Sequence, residues 1–228
     1  MTQAADHLTH TQERVVPISG TDVRRPLTDG RFRALLRAED WKSLPQPVRV
    51  RFSQHLKGGE SVVYAGELTV SERKPFGILI SELARLIGAP LPLTSDVGVP
   101  SIVGVTEDVS GGGQNWSRLH CNKKGFPQAI HSAKRFSGPT GLEEFIAPWL
   151  SVALRVSAET GSLVFRSDHL ALHILRRRVT LPRWLSPGDL IVKHTEIGNG
   201  RFRFSLELTS RVLGRLFFQE GIYREERT

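Results

Sequence analysis

A mainly β fold with a minor helical part is the class this sequence predicts. The expected form is a large antiparallel sheet curled into a barrel-like or two-layer structure, with two or three short helices in the N-terminal third. Three observations lead there. Strand-type alternation recurs at short spacing from Ser101 to the C-terminus, hairpin turn chemistry separates the segments, and no βαβ rhythm appears. Nine or ten such strands would curl or split into two layers, because twisted sheets of that width seldom stay open.

The helical signals come first. FRALLRAEDWKSLPQPV opens with apolar groups at Phe32, Leu35 and Leu36, and Pro45 and Pro47 then punctuate it. VRVRFSQHL starts a second short helix after Pro47. ESVVYAGELTV alternates, with Val62, Tyr64, Leu68 and Val70 on one face and Gly66 marking a bulge or bend. FGILISELARLIG is the clearest helix: Phe76, Leu79, Ile80, Leu83, Leu86 and Ile87 share a face, and Gly88 and Pro90 stop it.

β signals follow. SIVGVTEDV and QNWSRLHCN flank three glycines. LSVALRV places Leu150, Val152, Leu154 and Val156 on one face, and AETG turns the chain into SLVFRSDHLALHIL. RFRFSLEL is the most regular strand, with Phe202, Phe204, Leu206 and Leu208 opposite Arg201, Arg203, Ser205 and Glu207. IGNG before it is hairpin chemistry, since Asn-Gly accepts positive φ. GRLFFQEGIYREE is a final strand.

Length and composition set bounds. The 228 residues suit one domain over 29–228 preceded by a polar, aperiodic tail over 1–28, expected to be disordered. No apolar run is long enough for a transmembrane helix, and no secretory signal is visible at the N-terminus. A single cysteine allows no internal disulfide, which suits a cytoplasmic protein. The formal net charge is +8. The first 30 residues hold three basic and four acidic groups, so the surplus lies on the folded part. It favours polyanions, anionic lipids or acidic ligands. Nucleic acid ranks last as a partner, because no RNA- or DNA-reading motif interleaves with the basic residues.

The stretch GGGQNWSRLHCNKKGF, from Gly111 to Phe126, invites three chemical readings. A phosphate loop fails: the glycines lead into strand composition, without the Lys-Ser/Thr or helix such loops need. A Cys-His nucleophile fails because strand neighbours His120 and Cys121 point to opposite faces. Metal is not expected either; His169 and His173 share a strand face but sit about 13 Å apart there. A hairpin loop remains. Alternation puts Trp116, Arg118 and His120 on one face, where Arg118 could hold an anionic group or pair with Glu143, Glu144 or Glu196.

Several groups of residues, taken in order, resemble a known family, domain of unknown function family 4166. They are WKSLP (Trp41 to Pro45), ARLIGAPLP, the Trp116-x-Arg118 strand, GLEEFIAP, LPRWLSP (Leu181 to Pro187), Glu196, RFRFSLEL and LGRLFFQEGIY. The resemblance runs from Trp41 to Tyr223. It departs at His120, where the family has an aromatic, and at Gly221-Ile222-Tyr223, where the family often shows a tryptophan. Family members are often joined to saccharopine-dehydrogenase-like or short-chain-dehydrogenase-like domains. The resemblance therefore implies a ligand-binding module or an accessory to a separate oxidoreductase partner.

The leading expectation is a non-catalytic module that binds a hydrophobic or amphipathic acidic small molecule, with no cofactor. Its candidate contacts are Trp116, Arg118, His131, Glu143 and Glu196. The alternatives are an enzyme using Glu, Arg and His in acid-base chemistry, or an interaction module showing apolar surface on a sheet edge or the Phe76 helix.

Overall fold

The computed structural model describes residues 27–57, 59–86, 91 and 95–226. Apart from Leu27 and Thr28, the expected tail lies outside the described residues. The chain opens with strand β1 (Leu27–Thr28) and helices α1 (Arg31–Ala34), α2 (Ala38–Ser43) and α3 (Gln46–Arg51). β2 (Gln54–His55) pairs back onto β1. β3 (Ser61–Arg73) and helix α4 (Pro75–Leu86) follow. Then come β4 (Val99–Asp108), β5 (Gly113–His120), β6 (Gln128–Arg135), β7 (Glu143–Ala147), β8 (Leu150–Glu159) and β9 (Ser162–Ile174). A short β10 (Arg177–Thr180) and a single 3-10 turn precede β11 (Asp189–Gly198), β12 (Arg201–Ser210) and β13 (Gly214–Glu226).

The protein is mainly β, as its alternation predicts. Ten strands close into an antiparallel barrel in the order β9-β11-β12-β13-β3-β4-β5-β6-β7-β8 and back to β9. Almost every pairing joins consecutive strands, as hairpin turns dictate. β10 is an extra strand on β9, and β13 with β3 closes the ring across the length of the domain. Closure leaves no free edge among the staves.

The turns take the chemistry the sequence offers. Asn199 (φ 55°) and Gly200 (φ 69°) make the β11–β12 hairpin. In the β4–β5 turn Gly112 has φ +65°, and a Cβ on Gly113 would stand 2.0 Å from the Lys134 carbonyl oxygen. These glycines let strands approach closely and shape no phosphate cradle. Gly66 marks a similar approach, where a Cβ would meet the Ile222 carbonyl.

The barrel has two unlike ends. At one, α1 to α3 form a plug. Phe32 is fully buried edge-on against Phe52, Phe136 and Phe165, and Trp41, Leu44 and Val48 pack into the same core as Tyr64, Trp116 and Phe202. Burying each such ring contributes about 1.5–3 kcal/mol, which offsets the poor propensity of helices this short. Asp29 caps the plug by accepting hydrogen bonds from the Arg31 backbone and side chain, while Arg31 donates to the Gly112 carbonyl in the β4–β5 turn.

At the other end, here called the rim, α4 lies against β13. Gly77 sets the contact: a Cβ there would be 2.2 Å from the Leu216 carbonyl. Gly77 and Ser81 are the buried side of α4, Ile80 meets the Leu208–Leu216–Phe217 cluster, and Phe76, Leu79 and Leu83 stay about half exposed. No described helix is long and apolar enough to cross a membrane.

Candidate ligand site in the barrel lumen

Strand parity delivers the site. β5 pairs with β4 in the register Val105↔Trp116, Val103↔Arg118 and Ser101↔His120. Trp116, Arg118 and His120 therefore enter the lumen together, as alternation predicts, while Ser117 and Leu119 face outward. On β6 the inward set is Ile130, Ser132 and Lys134, and the register Lys134↔Glu144 brings a carboxylate from β7 to the same level.

Glu144 is the hub. Its Oε1 accepts a hydrogen bond from Ser132 Oγ at 2.7 Å and lies 3.0 Å from Lys134 Nζ and 3.6 Å from Arg118 Nη2. Arg118 Nη1 also donates to Ser132 Oγ at 3.1 Å. The two cations ride on aromatic faces, Lys134 Nζ 4.8 Å from the Trp116 ring and Arg118 5.7 Å from those of Trp116 and Phe204. Burial by itself would raise the Glu144 carboxyl, but Lys134, Arg118 and Ser132 outweigh it and hold its pKa at about 2. The group is a fixed anion at neutral pH.

A second ion pair sits under the plug. Arg51 on α3 reaches Glu196 on β11 at 3.5 Å and stacks 3.8 Å over the Phe202 ring. His194 lies between Phe52, Trp116, Phe202 and Phe204. Burial, with Arg51, Lys134 and Arg118 nearby, pushes its pKa well below the ordinary histidine value, so the ring is neutral. Deeper in the lumen, Ser101 Oγ bridges His120 Nδ1 (2.9 Å) and Tyr223 Oη (2.8 Å). Burial and then Arg118 lower the His120 pKa to about 4.

The hydrogen bonding is lopsided. Among the described residues, every buried side-chain polar atom without a partner is a nitrogen. Arg51 Nε and Nη1, Trp116 Nε1, His120 Nε2, His194 Nδ1 and Gln219 Nε2 are among them, and no oxygen is. Three of these atoms, on Arg51 and Trp116, belong to residues lining one cavity of about 10 Å³ at the seam between the plug and β3–β5, with Gln114 and Tyr64 beside them. That volume holds one water-sized group. A shallow groove of about 430 Å³ on the outer wall, along Ala65, Pro100, Arg201 and Ile222, carries carboxylates as well as arginines.

The five expected contact residues do not converge. Trp116 and Arg118 face the lumen together, and Glu196 enters it through Arg51. His131 lies on the outer face, bonded to Ser117 at 3.0 Å. Glu143 is also on the outer side of β7, buried beneath Arg178 (2.5 Å) and near His173 (3.7 Å). That outer cluster continues through His169, whose Nε2 accepts from Arg178 while its Nδ1 donates to Asp168 at 2.7 Å. Arg118 pairs with Glu144. Sequence reasoning missed Lys134 and Arg51. The parity of Lys134 with Ile130 and Ser132 was its only signal, and Arg51 had none, because a helix of six residues carries too little periodicity.

This architecture defines a class: a closed up-and-down antiparallel barrel, plugged at one end by helices and threaded by a buried ionic network. Within that class, the chain belongs to the family of Domain of unknown function (DUF4166), whose model matches residues 44–222. No curated protein and no solved structure was found to match it.

Proposed function

We propose that this barrel is a non-catalytic binding module for an amphipathic acidic small molecule, whose anionic group meets Arg51 and Trp116 at the plugged end of the lumen. The observation that carries this reading is the set of buried N–H groups without partners on Arg51 and Trp116, beside one cavity. A buried N–H left without a partner costs about 1–3 kcal/mol, and an oxygen-bearing anion would relieve several at once. The aromatic walls of Phe52, Tyr64 and Phe202 suit the apolar part of such a ligand. The existing cavity holds one water-sized group, so the ligand, its head group included, enters by displacing the Phe52–Leu56 stretch beside the plug.

The acid-base enzyme finds less support. Its candidates stand on opposite sides of the barrel wall, with Arg118 and Glu196 inside and His131 and Glu143 outside. The test is native mass spectrometry of freshly purified protein, followed by titration with dodecanoate read by tryptophan fluorescence. The expected result is a bound anionic amphiphile in the native spectrum and a saturable titration that Arg51→Met abolishes. A clean apo mass with no response to dodecanoate refutes the reading.

A further inference from the structure

The rim end carries a pattern the lumen does not use. Four of the most exposed large apolar side chains of the described residues sit on connections between strands at this end: Phe126 (93% exposed), Leu175 (91%), Val212 (90%) and Trp184 (80%). The β5–β6, β9–β10 and β12–β13 connections hold Phe126, Leu175 and Val212, and the segment entering β11 holds Trp184. Each has a cation within three residues: Lys123 and Lys124 before Phe126, Arg176 after Leu175, Arg183 before Trp184, and Arg211 before Val212. Five rim connections, 121–127, 148–149, 175–176, 181–188 and 211–213, contain these five cations and no carboxylate. The sixth, 74–98, carries Lys74 and Arg85 against Glu82, which pairs with Arg85, and Asp96, which accepts from the Lys123 backbone N–H, so the rim as a whole keeps a surplus of cations. Asp168 and Asp189, on adjoining strands, approach Arg183 and Arg211 at 3.5 and 4.0 Å, weak surface pairs that leave the cations largely solvated.

An apolar tip beside a cation, repeated around one end of a rigid barrel, is the chemistry of an anionic lipid surface. The rings and branched chains enter the headgroup boundary, tryptophan favours that depth, and each lysine or arginine meets a lipid phosphate. The half-exposed Phe76, Leu79 and Leu83 of α4 extend the same end. The barrel wall is unsuited to spanning a bilayer, because Arg201, Arg203 and Glu207 point outward where a transmembrane barrel is apolar. We infer that this protein docks end-on, rim first, onto anionic membranes.

Vesicle sedimentation of the full chain tests this, with phosphatidylcholine vesicles compared against vesicles that also contain phosphatidylglycerol. Binding to the anionic vesicles alone is expected, weakening as salt rises. The combined substitution Phe126→Ser, Leu175→Ser, Trp184→Ser and Val212→Ser should lower the partition coefficient about tenfold or more. The combined Lys123→Gln, Lys124→Gln and Arg176→Gln change should remove most of the salt dependence. Brominated lipid should quench wild-type tryptophan fluorescence more than that of Trp184→Phe, a readout independent of how the multiple variants fold. The inference fails if wild type ignores anionic vesicles, or if the four-site variant binds them as well as wild type. It fails equally if wild type is instead retained only on nucleic acid or on a co-purifying oxidoreductase.

Discussion

The two ends of the barrel are built from opposite materials. At the plugged end, the stave connections 109–112, 136–142, 160–161 and 199–200 contain no charged residue. Apart from Val109, which is 84% exposed, their largest groups turn inward, with Leu142 fully buried and Phe136 against Phe32. The plug helices carry exposed charges such as Arg33, Arg37, Glu39 and Lys42, but a buried set, Glu144, Lys134, Arg118, Arg51 and Glu196, lies inside the wall. At the rim, five cations and four large apolar tips stand in solvent. Side chains with many partners set stability, and side chains with few are available to bind. The first end holds the fold together, and the second touches almost nothing within it.

That contrast can be broken from its strongest point. Glu144→Ala leaves Lys134 and Arg118 buried without their shared counter-ion, so urea denaturation should show a loss of about 3–5 kcal/mol. Glu144→Gln should recover part of it by keeping the Ser132 hydrogen bond. Phe32→Ala empties the plug and should cost a similar ~3–5 kcal/mol, with the thermal midpoint as the readout.

A smaller effect depends on pH. His120 and His194 stay neutral in the folded barrel with depressed pKa values but take up protons freely when unfolded. Below about pH 6.5 the unfolded chain therefore binds more protons, and stability falls by at most about 1.4 kcal/mol per pH unit for each histidine. For His120 the decline ends near pH 4, where the folded ring itself protonates. Glu144 acts in the next window, since its stabilisation is complete above the ordinary carboxylate range and is lost as pH falls toward 2. Urea midpoints at pH 7, 6 and 5 should trace the histidine slope, and His194→Leu should flatten it. The smallest effect belongs to the rim: Phe126→Ser or Leu175→Ser should change stability by no more than about 0.5 kcal/mol, because neither side chain is buried. A larger loss there would erase the distinction between the ends.

Much of the barrel was legible in the sequence, because alternation reports which side chains share a face. RFRFSLEL and QNWSRLH place their residues as read, and Trp116, Arg118 and His120 do meet in the lumen. Closure was not legible. The β13–β3 pairing joins Glu226 to Val63, and no local signal specifies a contact across that span. The choice between Glu143 and Glu144 turned on the register of a five-residue strand, which a one-residue slip would have inverted. Lys134 escaped notice because lysine is rarely buried, and only a carboxylate from the neighbouring strand makes its burial tolerable. The helix over Pro75–Leu86 was plain from its period, but period alone does not tell which face meets the protein. Here the small residues Gly77 and Ser81 pack inward and leave Phe76, Leu79 and Leu83 outside.

The reading of the lumen as an acidic-ligand site rests on Arg51 and Trp116 offering donors without acceptors. Native mass spectrometry of wild type beside Arg51→Met examines this most directly. The account predicts an anionic amphiphile on the wild-type protein and its loss from the variant, with both proteins folded. Equal apo masses for the two, with dodecanoate binding to neither, would contradict it.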